Sequence, residues 1–218
     1  MTREEFDAGL GTLTRQIQGM GQQVLEAIHL AVESFIERDT DKALSVIQSD
    51  GLINASDLQI EKEAIRLLAL QSPYATDLRV IVTSMKIASD LERMGDHAAS
   101  IAKTSIRMKG NPLMDEASDI LLEMAEVIKG MLKESLDALE DVSMTDAKRI
   151  AAIDDRVDEL FQQANEMTLK AMKGNPSMVY NGSGFISACS NLERIGDYVT
   201  NICERIVYID SGSVVEFQ

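Results

Sequence analysis

From Phe6 to Ala31 the apolar residues fall at Phe6, Leu10, Leu13, Ile17, Met20, Val24, Ala27 and Ala31. The intervals alternate between four and three, which places all eight on one stripe of a helix and on no face of a strand. Such a seam must be buried against other helices, in the manner of a coiled-coil bundle. Little interrupts the pattern further on, because only three prolines occur in 218 residues. A second helix is expected over about 41–71, ending before Pro73. A third is expected over about 75–109, ending at "MKGNP", a glycine cap followed by proline. A fourth follows over about 113–141, and a fifth over about 144–173 with Asp141 or Ser143 as its cap. The fifth ends at a second "MKGNP", Met172 to Pro176. "NGSGF" at 181–185 reads as the loop entering a sixth helix at about 184–209, with a short polar tail behind it. Long helices with short connections must fold back as antiparallel hairpins. The expected fold is therefore all-α: two tandem three-helix bundles related by a pseudo-repeat, residues 1–110 and 111–218, six long helices in all.

The repeat is legible in the residues. "DLERMGDHAASIA" at 90–102 returns as "NLERIGDYVTNIC" at 191–203, so that Leu91, Glu92, Arg93, Gly95 and Asp96 match Leu192, Glu193, Arg194, Gly196 and Asp197. Glu and Asp at i and i+4 lie one above the other on a helix face. Leu192, Ile195, Val199, Ile202 and Ile206 lie roughly opposite, so the acids turn away from the core. Taken alone this describes a solvated face, with Arg93 and Arg194 as ion-pair partners.

Hairpin register adds to that reading. Asp50, Asn54, Asp57 and Glu61 form one stripe on the second helix. Folded about Pro73, Asp50 and Asp96 each lie 23 residues from the tip, and Asn54 and Glu92 each lie 19. In the second half Asp154 pairs with Asp197, and Asp158 with Glu193, about a shared midpoint between Asn175 and Pro176. Four oxygen-bearing side chains on adjacent helices repel unless protonated, paired with arginine or bridged by a cation. The donors are all oxygen, which suits hard cations such as Mg²⁺, Mn²⁺, Ca²⁺ or iron. Gly95 and Gly196, between the acids, would allow close approach to the helix surface. The candidate metal-associated residues are Asp50, Asn54, Glu92, Asp96, Asp154, Asp158, Glu193 and Asp197.

Other classes of function are disfavoured. A net charge of −15 repels nucleic acid and anionic lipid. No apolar run reaches the roughly 20 residues of a membrane span, and "MTREEFDAGL" is too polar for a signal peptide, so a cytoplasmic protein is expected. Cys189 and Cys203, 14 residues apart on one helix and hence about 21 Å apart, cannot pair and read as buried free thiols. There is no Gly-rich phosphate loop for ATP hydrolysis and no activated nucleophile, Arg205 being the one basic neighbour of a cysteine, so no enzymatic activity is expected. Tyr198 replaces His97 in the second copy, which makes His97 a packing or surface residue. The twelve methionines read as core filler.

The two strings "ERMGD" and "ERIGD", with "SPYATDLR" at 72–79 and "YVTNICERIVY" at 198–208, resemble the PhoU family of phosphate-transport regulators along essentially the whole chain. The resemblance implies two three-helix bundles that carry surface metal clusters, multinuclear iron or a similar ion, with Mn, Mg, Ca and Zn as alternatives. Their ligands would be Glu92 and Asp96 with Asp50, and Glu193 and Asp197 with Asp154 and Asp158. It implies a non-enzymatic negative regulator of phosphate uptake and phosphate-starvation signalling. Such a protein bridges the ATPase subunit of the phosphate ABC transporter and a membrane sensor histidine kinase. Family members often self-associate, and the sequence does not choose between monomer and homodimer. The first half departs from the second, with Asn54 at the place of Asp158 and Ser100 at that of Asn201, so the second site is expected to bind metal more tightly. The rival readings are a di-iron carboxylate bundle, for which Glu26-Ala-Ile-His29 is the one Glu-x-x-His string, and a metal-free helical scaffold.

Overall fold

The computed structural model describes residues 2–70, 73–110 and 115–217. The seam of the first helix behaves as its spacing demands. Helix α1 runs Arg3–Glu37 from a capping box in which the Thr2 hydroxyl accepts from the Glu5 amide and Glu5 accepts from the Thr2 amide. Of the eight seam residues, seven are buried and Leu10 is partly so. Helix α2 spans Thr40–Leu70, with the Asp39 carboxylate accepting from the amides of Asp41 and Lys42 at its start. Helix α3 spans Ala75–Arg107 and α4 spans Asp115–Asp141. The expected end of α2 at 71, the expected start of α4 at 113 and Pro112 of the first "MKGNP" lie outside the described residues.

The second repeat corrects three expectations and decides between the two caps offered for the fifth helix. The fifth helix is two pieces, α5 at Met144–Ala151 and α6 at Asp154–Gly174, separated by a turn at Ala152 and Ile153. Ser143, not Asp141, caps α5 by accepting from the Asp146 amide. Gly174 is the last residue of α6 and not a left-handed cap, and the chain leaves through Asn175 in an extended conformation. A single 3₁₀ turn at Pro176–Met178 then leads into α7, Val179–Ser211. "NGSGF" is thus inside the helix. Asn181, Gly182, Gly184 and Phe185 are buried there, and Cβ atoms on the two glycines would strike Thr168 and Met172, and Met108, respectively. These glycines let α7 lie close against α6 and the end of α3, and that packing outweighs their poor helix propensity.

Helices α1–α3 form one antiparallel bundle and α4–α7 the other, and one continuous apolar core joins them. Their third helices, α3 and α7, cross antiparallel at the centre of the molecule. Asp90 near the middle of α3 pairs with Arg205 at 2.8 Å, while His97, further along α3, meets Asn191 and Tyr198, earlier on α7. Arg79 at the start of α3 donates to the carbonyl of Ile209 at the end of α7. Asp77, two residues before, accepts from Arg3. The Asp77-Leu78-Arg79 string, which the second half lacks, therefore holds α3 to α1 and to the other repeat. Both cysteines are buried and free, and burial raises both thiols, Cys203 to about 12.

Two acidic faces as the candidate functional site

Hairpin register brings the two copies of Glu-Arg-x-Gly-Asp opposite the acids of the preceding helix. In the first repeat α2 comes so near α3 that a Cβ on Gly95 would lie 2.9 Å from Ile53 Cδ1. In the second, a Cβ on Gly196 would lie 2.6 Å from Asp154 Oδ1. Each glycine thus admits the neighbouring helix between its flanking acids. Leu192, Ile195, Val199, Ile202 and Ile206 are all fully buried on the opposite side of α7.

The resulting carboxylates stand in one another's fields. Asp154 is half-buried beneath Gly196, and its Oδ2 accepts from the Thr200 hydroxyl at 3.3 Å. Burial first, then the charges of Asp197 and Asp158, push it up to about 6. Glu193 is raised by burial and by Asp197 and Asp158, and Asp197 by burial and by Asp158. Asp154, Asp158, Asp197, Thr200, Asn201 and Glu204 share a cavity of about 420 Å³, closed on one side by Phe217 from the C-terminal tail.

The first repeat repeats this in weaker form. Asp50 is raised by burial and by Asp96, and Glu92 by burial and by Asp96, Asp57 and Asp50. Asn54 is exposed on α2. Asp57 belongs to the α2 stripe but not to the ligand set that register alone picks out. Burial and Glu61 raise it, and its charge acts on Glu92. Thr200, which buttresses Asp154, carries no signal in the sequence beyond its place three residues after Asp197.

Two features fit a cation. Asp50 Oδ1 is buried with no hydrogen-bond partner, and six carboxylates (Asp50, Asp57, Glu92, Asp154, Glu193 and Asp197) are each raised by burial and by a neighbouring carboxylate. A hard cation would relieve both. As the side chains are placed, no three His, Cys, Asp or Glu groups among the described residues surround a common point. Ligation would draw in the exposed carboxylates of Asp96, Asp158 and Asp197 by a change of rotamer. The other acidic string fits less well. Glu26 and His29 are exposed on α1, with His29 Nε2 3.5 Å from Glu33, on the surface and not among facing helices where a di-iron site is built.

Comparison with known proteins places this geometry in context. The PhoU domain profile matches residues 17–105 and 121–206, once in each bundle. A phosphate-specific transport system accessory protein PhoU homolog of Streptococcus pneumoniae is 36% identical over 214 residues, 98% of this chain and 99% of that protein. The homolog of the same description in Clostridium acetobutylicum is 36% identical over 217 residues, 99% of each chain. The crystal structure of the phosphate transport system regulatory protein PhoU from S. pneumoniae superposes with a TM-score of 0.91 at 35% identity, covering 97% of this chain and all of that one. PhoU from Pseudomonas aeruginosa superposes equally well, TM-score 0.91 at 30% identity over 95% of this chain.

Proposed function

The chain belongs to the PhoU family, and on that premise we propose that it is a non-catalytic regulator that restrains phosphate uptake and phosphate-starvation signalling. Its relatives are named as accessory or regulatory proteins of phosphate transport. It would act in the cytoplasm by docking on the ATPase subunit of the phosphate transporter and on a sensor histidine kinase. The observation that carries this reading is the extent of the likeness. It covers 98% of this chain and 99% of a relative, so both bundles and both acidic faces fall within it. Among the described residues no helix is long and apolar enough to cross a membrane, which agrees with an accessory role beside a transporter. The surplus of acid, 36 Asp and Glu against 21 Lys and Arg, favours basic partner surfaces over nucleic acid.

The acidic faces would hold hard cations, Glu92, Asp96 and Asp50 in one bundle and Glu193, Asp197, Asp154 and Asp158 in the other. The unpartnered Asp50 oxygen and the raised Asp154 support this. Bound iron or a similar ion would neutralise the carboxylates and tie adjacent helices together. Deletion of the gene is expected to raise phosphate uptake and starvation-gene expression at high external phosphate. Unchanged uptake and expression would refute the regulatory reading. A tagged protein recovered from phosphate-replete cells is expected to bring down the transporter ATPase. Elemental analysis before and after chelation tests the metal independently.

A further inference from the structure

The pseudo-repeat relates two grooves on the flanks of the α3–α7 crossing, and among the described residues only one of them has a further segment of the chain laid along it. The first is lined by Thr83 and Lys86 from α3 and by Glu204, Arg205 and Tyr208 from α7. The chain's own C-terminal tail, Ser213–Phe217, lies along it. Val214 and Val215 form a wall, Val215 and Phe217 pack on the core, and the Phe217 amide donates to Glu204 Oε1 at 2.9 Å. What remains is a cavity of about 180 Å³. Shifting by the 101 residues of the repeat carries Glu204, Arg205 and Tyr208 to Lys103, Thr104 and Arg107, and Lys86 to Ser187. Those four residues, with Ser100 and Asn191, line the twin groove, which is open and holds about 530 Å³.

The twin reverses the charge of its lining. Where the filled groove offers Glu204 to accept a backbone amide, the open one offers Lys103. Tyr208 becomes Arg107, and Asp90, which pairs with Arg205, corresponds to Asn191. Among the described residues the lining of the open groove contains no carboxylate, although the chain carries a net charge of −15. Among the described residues Lys103 and Arg107 make no ion pair. Arg107 donates to its neighbour Thr104, and the charge of Lys103 acts on Asp50. Ile106 supplies apolar surface beside them.

We propose that the open groove formed by Ser100, Lys103, Arg107, Ser187 and Asn191 binds an extended acidic segment of a partner protein, laid as the C-terminal tail is laid in the twin groove. The tail shows the pattern that fits. Val215 and Phe217 turn inward at the period of two of an extended chain, and Glu216 between them faces outward. In the open groove the cations at Lys103 and Arg107 take carboxylates or carbonyls in place of the amide that Glu204 accepts. The inference rests on the grooves alone and does not depend on metal binding or on the phosphate reading.

The test uses the full chain and a fluorescein-labelled hexapeptide, Glu-Val-Val-Glu-Phe-Glu, with Lys-Val-Val-Lys-Phe-Lys as its charge-reversed control. Fluorescence anisotropy should show saturable binding of the acidic peptide that weakens as salt rises, and no binding of the basic one. Lys103→Glu with Arg107→Glu should weaken it about tenfold or more, Lys103→Gln with Arg107→Gln should weaken it in the same direction, and Lys86→Glu in the filled groove should leave it unchanged. Circular dichroism on each variant establishes that the fold is retained. Absence of saturable binding, equal binding of the basic peptide, or undiminished binding by both folded double variants overturns the proposal. Full displacement by inorganic phosphate, with no loss when the peptide's Val and Phe are replaced by Ser, would assign the groove to a free oxyanion and overturn it as well.

Discussion

Asp154 is the residue in which fold and function pull in opposite directions. It sits under Gly196, accepts one hydrogen bond from Thr200, and is held at about 6 by burial and by Asp197 and Asp158. A carboxyl raised above its unfolded value near 3.8 stabilises the fold while protonated, and that contribution is lost as pH rises through the folded value. Metal-free protein should therefore lose stability between about pH 4 and pH 6. The shift corresponds to about 3 kcal/mol at most, and partial solvent access reduces this to about 1 kcal/mol. Asp154→Asn should flatten the pH profile and raise the melting temperature of metal-free protein at pH 7.5 by about 2–4 °C. A melt at pH 4.5 and at pH 7.5 checks both, and a variant with the wild-type slope would place the repulsion elsewhere. The same accumulation of charge ranks the two faces, with four carboxylates in the second repeat against three and a neutral Asn54 in the first. Affinity for hard cations grows with charged oxygen donors. During chelation Glu92→Gln/Asp96→Asn should therefore keep its most tightly held metal, and Glu193→Gln/Asp197→Asn should lose it. Equal loss from the two variants would refute the ranking.

Within the helices, glycine marks where packing and propensity compete. Gly19 in α1 and Gly130 in α4 are exposed, and a methyl group added at either would meet nothing within 4 Å. Replacing either with alanine should stabilise the protein by about 0.5–1 kcal/mol, measurable by urea denaturation. Gly196→Ala should gain nothing, because its methyl would displace the Asp154 carboxylate. This contrast also shows what a sequence discloses. The α1 seam, the hairpin register about Pro73 and about Asn175–Pro176, and the need for glycine between the acids all follow from spacing, and Gly95 and Gly196 lie where spacing puts them. The break at Ala152–Ile153 carries no glycine or proline to announce it. The early start of α7 is hidden because "NGSGF" has loop composition, and its helicity comes from contacts with Thr168, Met172 and Met108. Those partners are distant in sequence, so local propensity cannot reveal the result. How the acids converge depends on rotamers, which no periodicity encodes.

At the scale of the molecule, the two bundles are held as one body by a core that runs through both and by polar ties across it. Gln18 donates to the Leu136 carbonyl, His97 meets Asn191, and Arg79 reaches Ile209. The strongest tie is Asp90–Arg205, because Asp90 is only 6% exposed and Arg205 is its ion-pair partner across the α3–α7 crossing. Burial raises Asp90 above the ordinary carboxylate range, and Arg205 opposes that rise. Removing Arg205 strips Asp90 of its ion-pair partner and leaves only the weaker influence of Arg93 and Lys86, which costs about 3 kcal/mol. Arg205→Met should therefore destabilise both bundles together, in a single transition. The deficit should depend on pH with a definite sign. Without Arg205 the folded value of Asp90 rises further, so stability is retained while Asp90 is protonated and is lost as pH climbs above the unfolded value near 3.8. Denaturant titrations should show a small deficit at pH 4.5 and the full one at pH 8. Adding Asp90→Leu to Arg205→Met removes the stranded charge and should restore much of the loss at pH 8. A pH-independent deficit, or no recovery in the double variant, would mean that Arg205 acts through packing and not through its charge. Two separate transitions in wild-type protein would mean that the bundles fold independently despite the core they share.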